Sequence, residues 1–241
     1  MKFSLTFTAI LLAANLVFAG QNFQYQITKQ RLSLESSNIP TYIEYSSEKR
    51  PAPAELKGLF QNYWKGVKGF DFVEIGQEVD QLGFTHIRYE QTYNGVPIEF
   101  AEWIVHIKNN EIYSMNGKLV DRIPGSTQNS ISKKAAFSAA KRYVGAKKYK
   151  WEIPAEEKHL KLETGNPFST YYPAPEMKYI GKSMDLNPGD LRLTYKFNVY
   201  AQEPLSRQEI YVDASTGDVV FVNNLIHTAN TTGTAQTAYS G

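Results

Sequence analysis

Leu82–Val120, LGFTHIRYEQTYNGVPIEFAEWIVHIKNNEIYSMNGKLV, is the stretch on which the fold of this chain turns. From Phe84 to Tyr93 the side chains alternate. Ile87, Tyr89, Gln91 and Tyr93 fall on one face, and His86, Arg88, Glu90 and Thr92 on the other. A period of two marks a half-buried strand. Asn94-Gly95 then supplies two residues that tolerate positive φ, the strongest short-range hairpin signal. Trp103 to Lys108 reads as a second strand, Asn109-Asn110 as a turn, and Glu111 to Met115 as a third strand. A three-stranded antiparallel meander is predicted.

Upstream, Ala54 to Val67 reads as a helix, because Leu56, Leu59, Phe60, Tyr63 and Trp64 recur at spacings of three and four. Gly69 ends it, and Phe70 to Ile75 is a candidate strand. Gln21 to Arg50 is polar and irregular, with extended fragments at Gln24–Thr28 and Thr41–Tyr45. Downstream, Pro124-Gly125-Ser126-Thr127 is a turn-rich boundary. Ser132 can cap a helix that Gly145 closes, with Ala136, Phe137, Ala140, Tyr143 and Val144 as its apolar stripe. The lysine cluster from Ala146 to Lys150 is expected to be a solvated turn. Glu152 to Pro175 has mixed character and yields no single reading. Leu191 to Val199 alternates cleanly, Glu209 to Val212 is a further strand, and Ala214–Gly217 turns the chain into Val219–Val222. The fold class expected is α+β: two small domains, each an antiparallel sheet packed with a helix.

With 241 residues and 42% apolar composition, the chain can bury one large core or two modest ones. A formal net charge of +2 implies no strong pull toward nucleic acid or acidic lipid. The absence of cysteine excludes disulfides, thiol catalysis and cysteine-ligated metal. Residues 1–19 read as a signal peptide: Lys2 is the positive region, Phe3 to Phe18 the apolar run, and Val17-Phe18-Ala19 the cleavage site. A mature start at Gly20 is expected. No cysteine follows to carry a lipid, and no later apolar run reaches membrane-spanning length.

No catalytic constellation is visible. None of His86, His106, His159 and His227 stands in His-Glu-x-x-His. His86 and His106 lie on adjacent predicted strands. Two histidines alone do not build a metal site, so each is expected to hydrogen-bond a neighbouring carboxylate or carbonyl. There is no Gly-x-Ser-x-Gly elbow and no phosphate-cradling glycine loop. Glu152, Glu156 and Glu157 cluster beside Lys158 and Lys161, as a salted exposed face does. Asp213 and Asp218 bracket a turn, where Asp serves conformation. Asn230-Thr231-Thr232 is a glycosylation sequon.

Two blocks together resemble a known arrangement. His86-Ile87-Arg88-Tyr89-Glu90-Gln91-Thr92-Tyr93-Asn94-Gly95, with Val105-His106 after it, is similar to the fungalysin/thermolysin propeptide (FTP) signature. The helix from Ser132 to Gly145 and the strands ending in Tyr211-Val212-Asp213-Ala214-Ser215-Thr216-Gly217 resemble a PepSY domain. The motif positions are therefore His86, Arg88, Tyr89, Gln91, Tyr93, Gly95, His106, Asp213 and Gly217, and no catalytic, cofactor or metal residue is assigned. The resemblance implies residues 20–123 as an FTP-like domain and 124–223 as a PepSY-like domain. It implies residues 224–241 as a linker and the start of a catalytic domain lying beyond Gly241. It further implies the pro-region of a secreted zinc metalloendopeptidase precursor, acting as chaperone and inhibitor of its own catalytic domain. Zinc, and calcium, are expected only in that catalytic domain. Processing is expected between Asn223 and Ala229. Tyr93, Trp103 and Tyr113 are candidate contact surface. The alternative is a stand-alone exported protease inhibitor or cell-envelope binding module. A complete hydrolase within these residues would need a nucleophile, base and oxyanion site that the sequence does not offer.

Overall fold

A computed structural model describes residues 25, 27–32, 40–61, 68–123, 130–184 and 186–226. The described chain is mostly sheet, with three short helices. In chain order the strands are β1 (Ile27–Leu32), β2 (Pro40–Tyr45), β3 (Phe70–Val79), β4 (Thr85–Tyr93), β5 (Val96–Lys108) and β6 (Glu111–Gly117). They continue as β7 (Lys148–Tyr149), β8 (Glu176–Ile180), β9 (Arg192–Glu203), β10 (Leu205–Asp213) and β11 (Val219–Asn224). The helices are α1 (Leu56–Gln61), α2 (Lys133–Val144) and α3 (Pro154–Thr164).

The meander forms as its alternation requires, with β4, β5 and β6 antiparallel and Asn94, Gly95, Asn109 and Asn110 all at positive φ in its two turns. It is longer than the sequence suggests. β3 adds a strand outside β4, and β2 then β1 add two beyond β6. The second half is antiparallel too, in the order β8-β9-β10-β11, with β7 against the far end of β9. A parallel bridge between β5 and β8, Ile98 opposite Tyr179, joins the halves.

β5 makes this junction possible because its phase changes midway. Thr92 pairs with Pro97 but Glu90 pairs with Glu102, and Phe100 within the offset has φ 65°. Such a bulge flips every following side chain to the other face. Ile98 is buried before it, and Ala101, Trp103, Val105 and Ile107 after it. One strand thereby feeds two cores. Ile98 and Ala101 join the core beneath α2, while Trp103, Val105 and Ile107 join the core beneath α1. Phe60 of α1 lies 3.8 Å from Phe72 and 5.7 Å from Trp103, ring to ring. Phe137 of α2 lies 5.3 Å from Phe197.

Two expectations are corrected here. The segment after α2 is no solvated turn: β7 pairs with β9, Tyr149 is buried and its hydroxyl donates to the Lys141 carbonyl. Within the α2 stripe, Ala136, Phe137 and Ala140 are buried but Tyr143 is exposed. The helix predicted over Ala54–Val67 opens as a 3-10 turn at Pro53–Glu55 and continues as α1; residues 62–67 lie outside the described residues. So do the signal segment, the boundary at 124–127, the sequon, His227 and the tail.

Candidate functional site

The motif residues of β4 and β5 are placed by the ladder. His86 and His106 stand directly opposite one another, and their Nδ1 atoms are 2.6 Å apart. His86 Nε2 is 3.1 Å from Asp80 Oδ2, and His106 Nε2 is 2.6 Å from Asn116 Oδ1. The backbone N–H of Phe84, donating to Asp80, holds that carboxyl below the usual carboxylate range. Asp80 is thus ionised and accepts from His86. These contacts form a relay from the β3–β4 turn across to β6, with the donor at each ring nitrogen set by the tautomer. The sequence anticipated separate partners for these rings; the register instead gives each ring the other as well.

The remaining motif positions are structural in the same sense. Arg88 pairs with Glu102 at 2.9 Å on the exposed face. Tyr89 packs edge-on to Phe60. Gln91 is fully buried, and its amide works as a strand would: Nε2 donates to the Val120 carbonyl at 2.7 Å, and Oε1 accepts from the Val120 N–H at 2.9 Å. That clamp fixes the chain where it leaves β6. Tyr93 packs against Phe70 and Tyr179, touching both halves, and Gly95 (φ 77°) makes the hairpin turn. In the second half, Asp213 Oδ1 accepts from the N–H groups of Ser215 and Thr216, and Gly217 (φ 84°) closes the turn. These residues do not converge on one cleft. Nor do the aromatics offer the anticipated contact surface. Trp103 is enclosed in the core, Tyr93 is half-buried, and Tyr113 lies under the Arg50 guanidinium at 3.6 Å.

One constellation escaped the sequence. A chain of alternating charges crosses the junction: Glu90 (β4), Lys178 (β8), Glu99 (β5), Lys196 (β9) and Glu209 (β10). Lys178 Nζ is 2.7 Å from Glu90 and 3.8 Å from Glu99. Lys196 Nζ is 3.4 Å from Glu99 and 2.8 Å from Glu209. All five side chains are between 14% and 18% exposed. Burial pulls Lys196 down, but the bond to Glu209 and the charges of Glu99 and Glu209 outweigh it and hold the ammonium above its ordinary range. Burial pushes Glu209 up, and its bonds to Lys196 and Asn223 more than reverse that. Tyr211, fully buried on the same face, is raised by burial first and then by Glu99 and Glu209. The five charges come from five different strands, which is why nothing in the sequence marks them as partners.

Chemically, this arrangement can brace and bind. Among the described residues no group of three or more His, Asp or Glu side chains could hold a metal ion, and no helix is long and apolar enough to cross a membrane. His159 pairs with Glu163 on α3, not with His86 or His106.

Residues 70–119, β3 to just beyond β6, match the family profile described as Fungalysin/Thermolysin Propeptide Motif. Bacillolysin of Bacillus subtilis (strain 168) is 25% identical over 217 residues, which cover 88% of this chain but 38% of the bacillolysin. Thermolysin of Alicyclobacillus acidocaldarius subsp. acidocaldarius is 30% identical over 148 residues, 61% of this chain and 24% of the thermolysin. The chain therefore spans well under half the length of these relatives. The similarity is to the pro-region of thermolysin-like proteases and not to their catalytic domain, to which the zinc of those enzymes belongs. Among solved structures, the alignment with the Bacillus megaterium YpeB C-terminal domain covers 88% of each chain at 13% identity with a TM-score of 0.37.

Proposed function

We propose that this chain is the pro-region of a secreted thermolysin-type zinc metalloendopeptidase precursor, and that it serves its own catalytic domain as folding chaperone and inhibitor. The observation that carries this reading is the FTP match over residues 70–119, set within a longer similarity to bacillolysin. The finer parts of the reading are a signal peptide over residues 1–19, an FTP-like unit over 20–123, a PepSY-like unit over 124–223, and export from the cell. Physically, a covalently attached pro-region acts at an effective concentration of roughly millimolar, so a modest interface suffices until the linker is cut. A rigid face is what such an inhibitor needs, since ordering loose segments on binding weakens association. The relay of Asp80, His86, His106 and Asn116, the Gln91 clamp and the charge chain across β4–β10 supply that rigidity.

The test uses the mature protease released from the same precursor. The chain is added to the folded enzyme and, separately, to enzyme diluted from denaturant. The expected results are loss of peptidase activity near stoichiometric ratio and a higher yield of refolded enzyme. No effect in either assay, with the chain shown to be folded, overturns the reading.

A further inference from the structure

We propose that Asp80, His86, His106 and Asn116 form an acid-sensitive latch, which holds the β3–β4 end of the first sheet at neutral pH and releases it when both rings are protonated. The inference concerns the chain itself and stands apart from the pro-region reading. It starts from a count of hydrogens. Asp80 Oδ1 accepts the N–H groups of Leu82 and Phe84, which leaves Oδ2 to accept from His86 Nε2. An ionised carboxylate donates nothing, so His86 carries its hydrogen on Nε2. The other nitrogen of that ring faces His106 Nδ1 at 2.6 Å. Two N–H bonds aimed at one another do not fit in that gap, where a hydrogen bond holds one hydrogen.

At the far end, His106 Nε2 lies 2.6 Å from Asn116 Oδ1. In this orientation the ring nitrogen donates, and the two rings hold three hydrogens, one positive charge set against Asp80. With the Asn116 amide turned end for end, its nitrogen donates instead, and the rings hold two hydrogens and no charge. The array is complete in either state. A fourth hydrogen has no place in it, because both Nδ1 atoms would then donate and the contact between the rings must break. In an unfolded chain each ring takes its own hydrogen. The folded pair and the unfolded chain therefore differ by one hydrogen in acid.

The surroundings give a doubly charged pair little relief. Of the carboxylates on the neighbouring strands, Glu102 is held by Arg88, and Glu44 of β2, opposite β6, by Lys29 and Tyr42. Glu78, opposite His86 on β3, is exposed, where water weakens its pull. Lys108 adds a positive charge, its Nζ 5.0 Å over the Phe84 ring that stacks on His86. Arg50 lies over Tyr113, which meets Phe84 edge-on. α1 packs on the other face of β5, against Trp103. Once the rings part, the turn at Asp80 and the strand at Asn116 lose their common tie together.

The sign follows from the count. Imidazoles of an unfolded chain titrate at about pH 6.5. Below that the unfolded chain binds one hydrogen more than the folded one, so folding weakens as pH falls, approaching about tenfold in the folding constant per unit. Ordinary carboxylates stay ionised down to about pH 5, which leaves about pH 7.5 to 5 as the window. The test measures urea unfolding across it in a chain whose other histidines are replaced, H159Q/H227Q, and in the same chain carrying H106Q. The first is expected to lose roughly tenfold in its folding constant. In H106Q a protonated His86 can donate to the amide oxygen while it keeps Asp80, so stability is expected to hold level or rise on acidification. H86Q takes its place should H106Q not fold. Nitrogen-15 spectra of the folded H159Q/H227Q chain give a second readout: one of the two facing Nδ1 atoms is expected to stay without hydrogen down to about pH 5.5. A level profile in H159Q/H227Q, an equal fall in the single-ring variant, or hydrogens on both Nδ1 atoms with the β4 and β5 amide signals unmoved overturns the latch.

Discussion

Replacing Lys196 by Met keeps the stem and removes the charge at the centre of the chain that joins the two halves. Lys196 Nζ lies 2.8 Å from Glu209 and 3.4 Å from Glu99, and the three side chains are no more than 18% exposed. Removing one member of a buried ion pair costs about 3–5 kcal/mol, because the partner is left charged and unpaired. Here the cost is moderated, since Glu209 keeps its bond to Asn223 and Glu99 keeps Lys178 at 3.8 Å. About 2–3 kcal/mol is therefore expected, or a fall in Tm of about 4–12 °C for a protein of this size. The pH dependence has a definite sign. Glu209 is held below its ordinary 4.5, so its contribution is present above that value and is lost as pH falls through the lowered one. Lys196 is held above its ordinary 10.5, so its contribution is complete below that value and fades as pH rises through the raised one. The difference between wild type and K196M should be flat between pH 5.5 and 9.5, on the order of a unit inside those limits, and should shrink in stronger acid. Urea unfolding followed through the buried Trp103 measures it. A difference below about 0.5 kcal/mol at pH 7, or one abolished by 0.5 M salt as for an exposed pair, would refute the reasoning.

Three further outcomes are expected. Gln91→Ala removes the donor and the acceptor that hold the Val120 C=O and N–H in a buried site, so it should destabilise by about 3 kcal/mol in the same urea assay, with Gln91→Glu no milder. Gly117→Ala should cost at least about 3 kcal/mol or prevent folding, since its Cβ would run into the Glu102 carbonyl oxygen, a main-chain atom that cannot swing aside; expression and thermal melting check it. Phe60→Ala removes the α1 side chain that meets Phe72, Tyr89 and Trp103, and should lose about 3–5 kcal/mol by calorimetry.

What the sequence discloses follows the range over which each signal acts. α2 is legible to the residue because its ends are local: the Ser132 side chain accepts from the Ala135 N–H, and Gly145 takes φ 61°. The Asn94-Gly95 hairpin is legible for the same reason. α3 is not, because its residues carry no apolar stripe to betray a helical period, and none of them is buried. β8 is missed because five residues with Lys178 between Met177 and Tyr179 give too short an alternation to stand out. The phase change at Phe100 exists only relative to the β4 register, so β5 reads as a strand beginning at Trp103 when it begins at Val96. The charge chain is the extreme case: Lys178 and Glu90 are 88 residues apart, and Lys196 and Glu99 are 97 apart.

The placement of the motif residues bears on how the resemblance to FTP domains should be tested. His86, His106, Gln91 and Gly95 are spent on register, a clamp and a turn, so a sequence that satisfies the motif has satisfied conditions for building this sheet. Matching it is therefore an argument about architecture first. Substitutions at those positions will depress any binding activity in proportion to the stability they remove, and such data cannot separate an inhibitor from any other protein of the same build. The informative positions lie where the fold makes no demand of its own. Leu162, Phe168, Lys158 and Lys161 can change charge or polarity without touching a core residue or an ion pair of the junction. If binding falls there while melting stays fixed, the loss reports a partner; if binding tracks melting everywhere, the loss reports the scaffold.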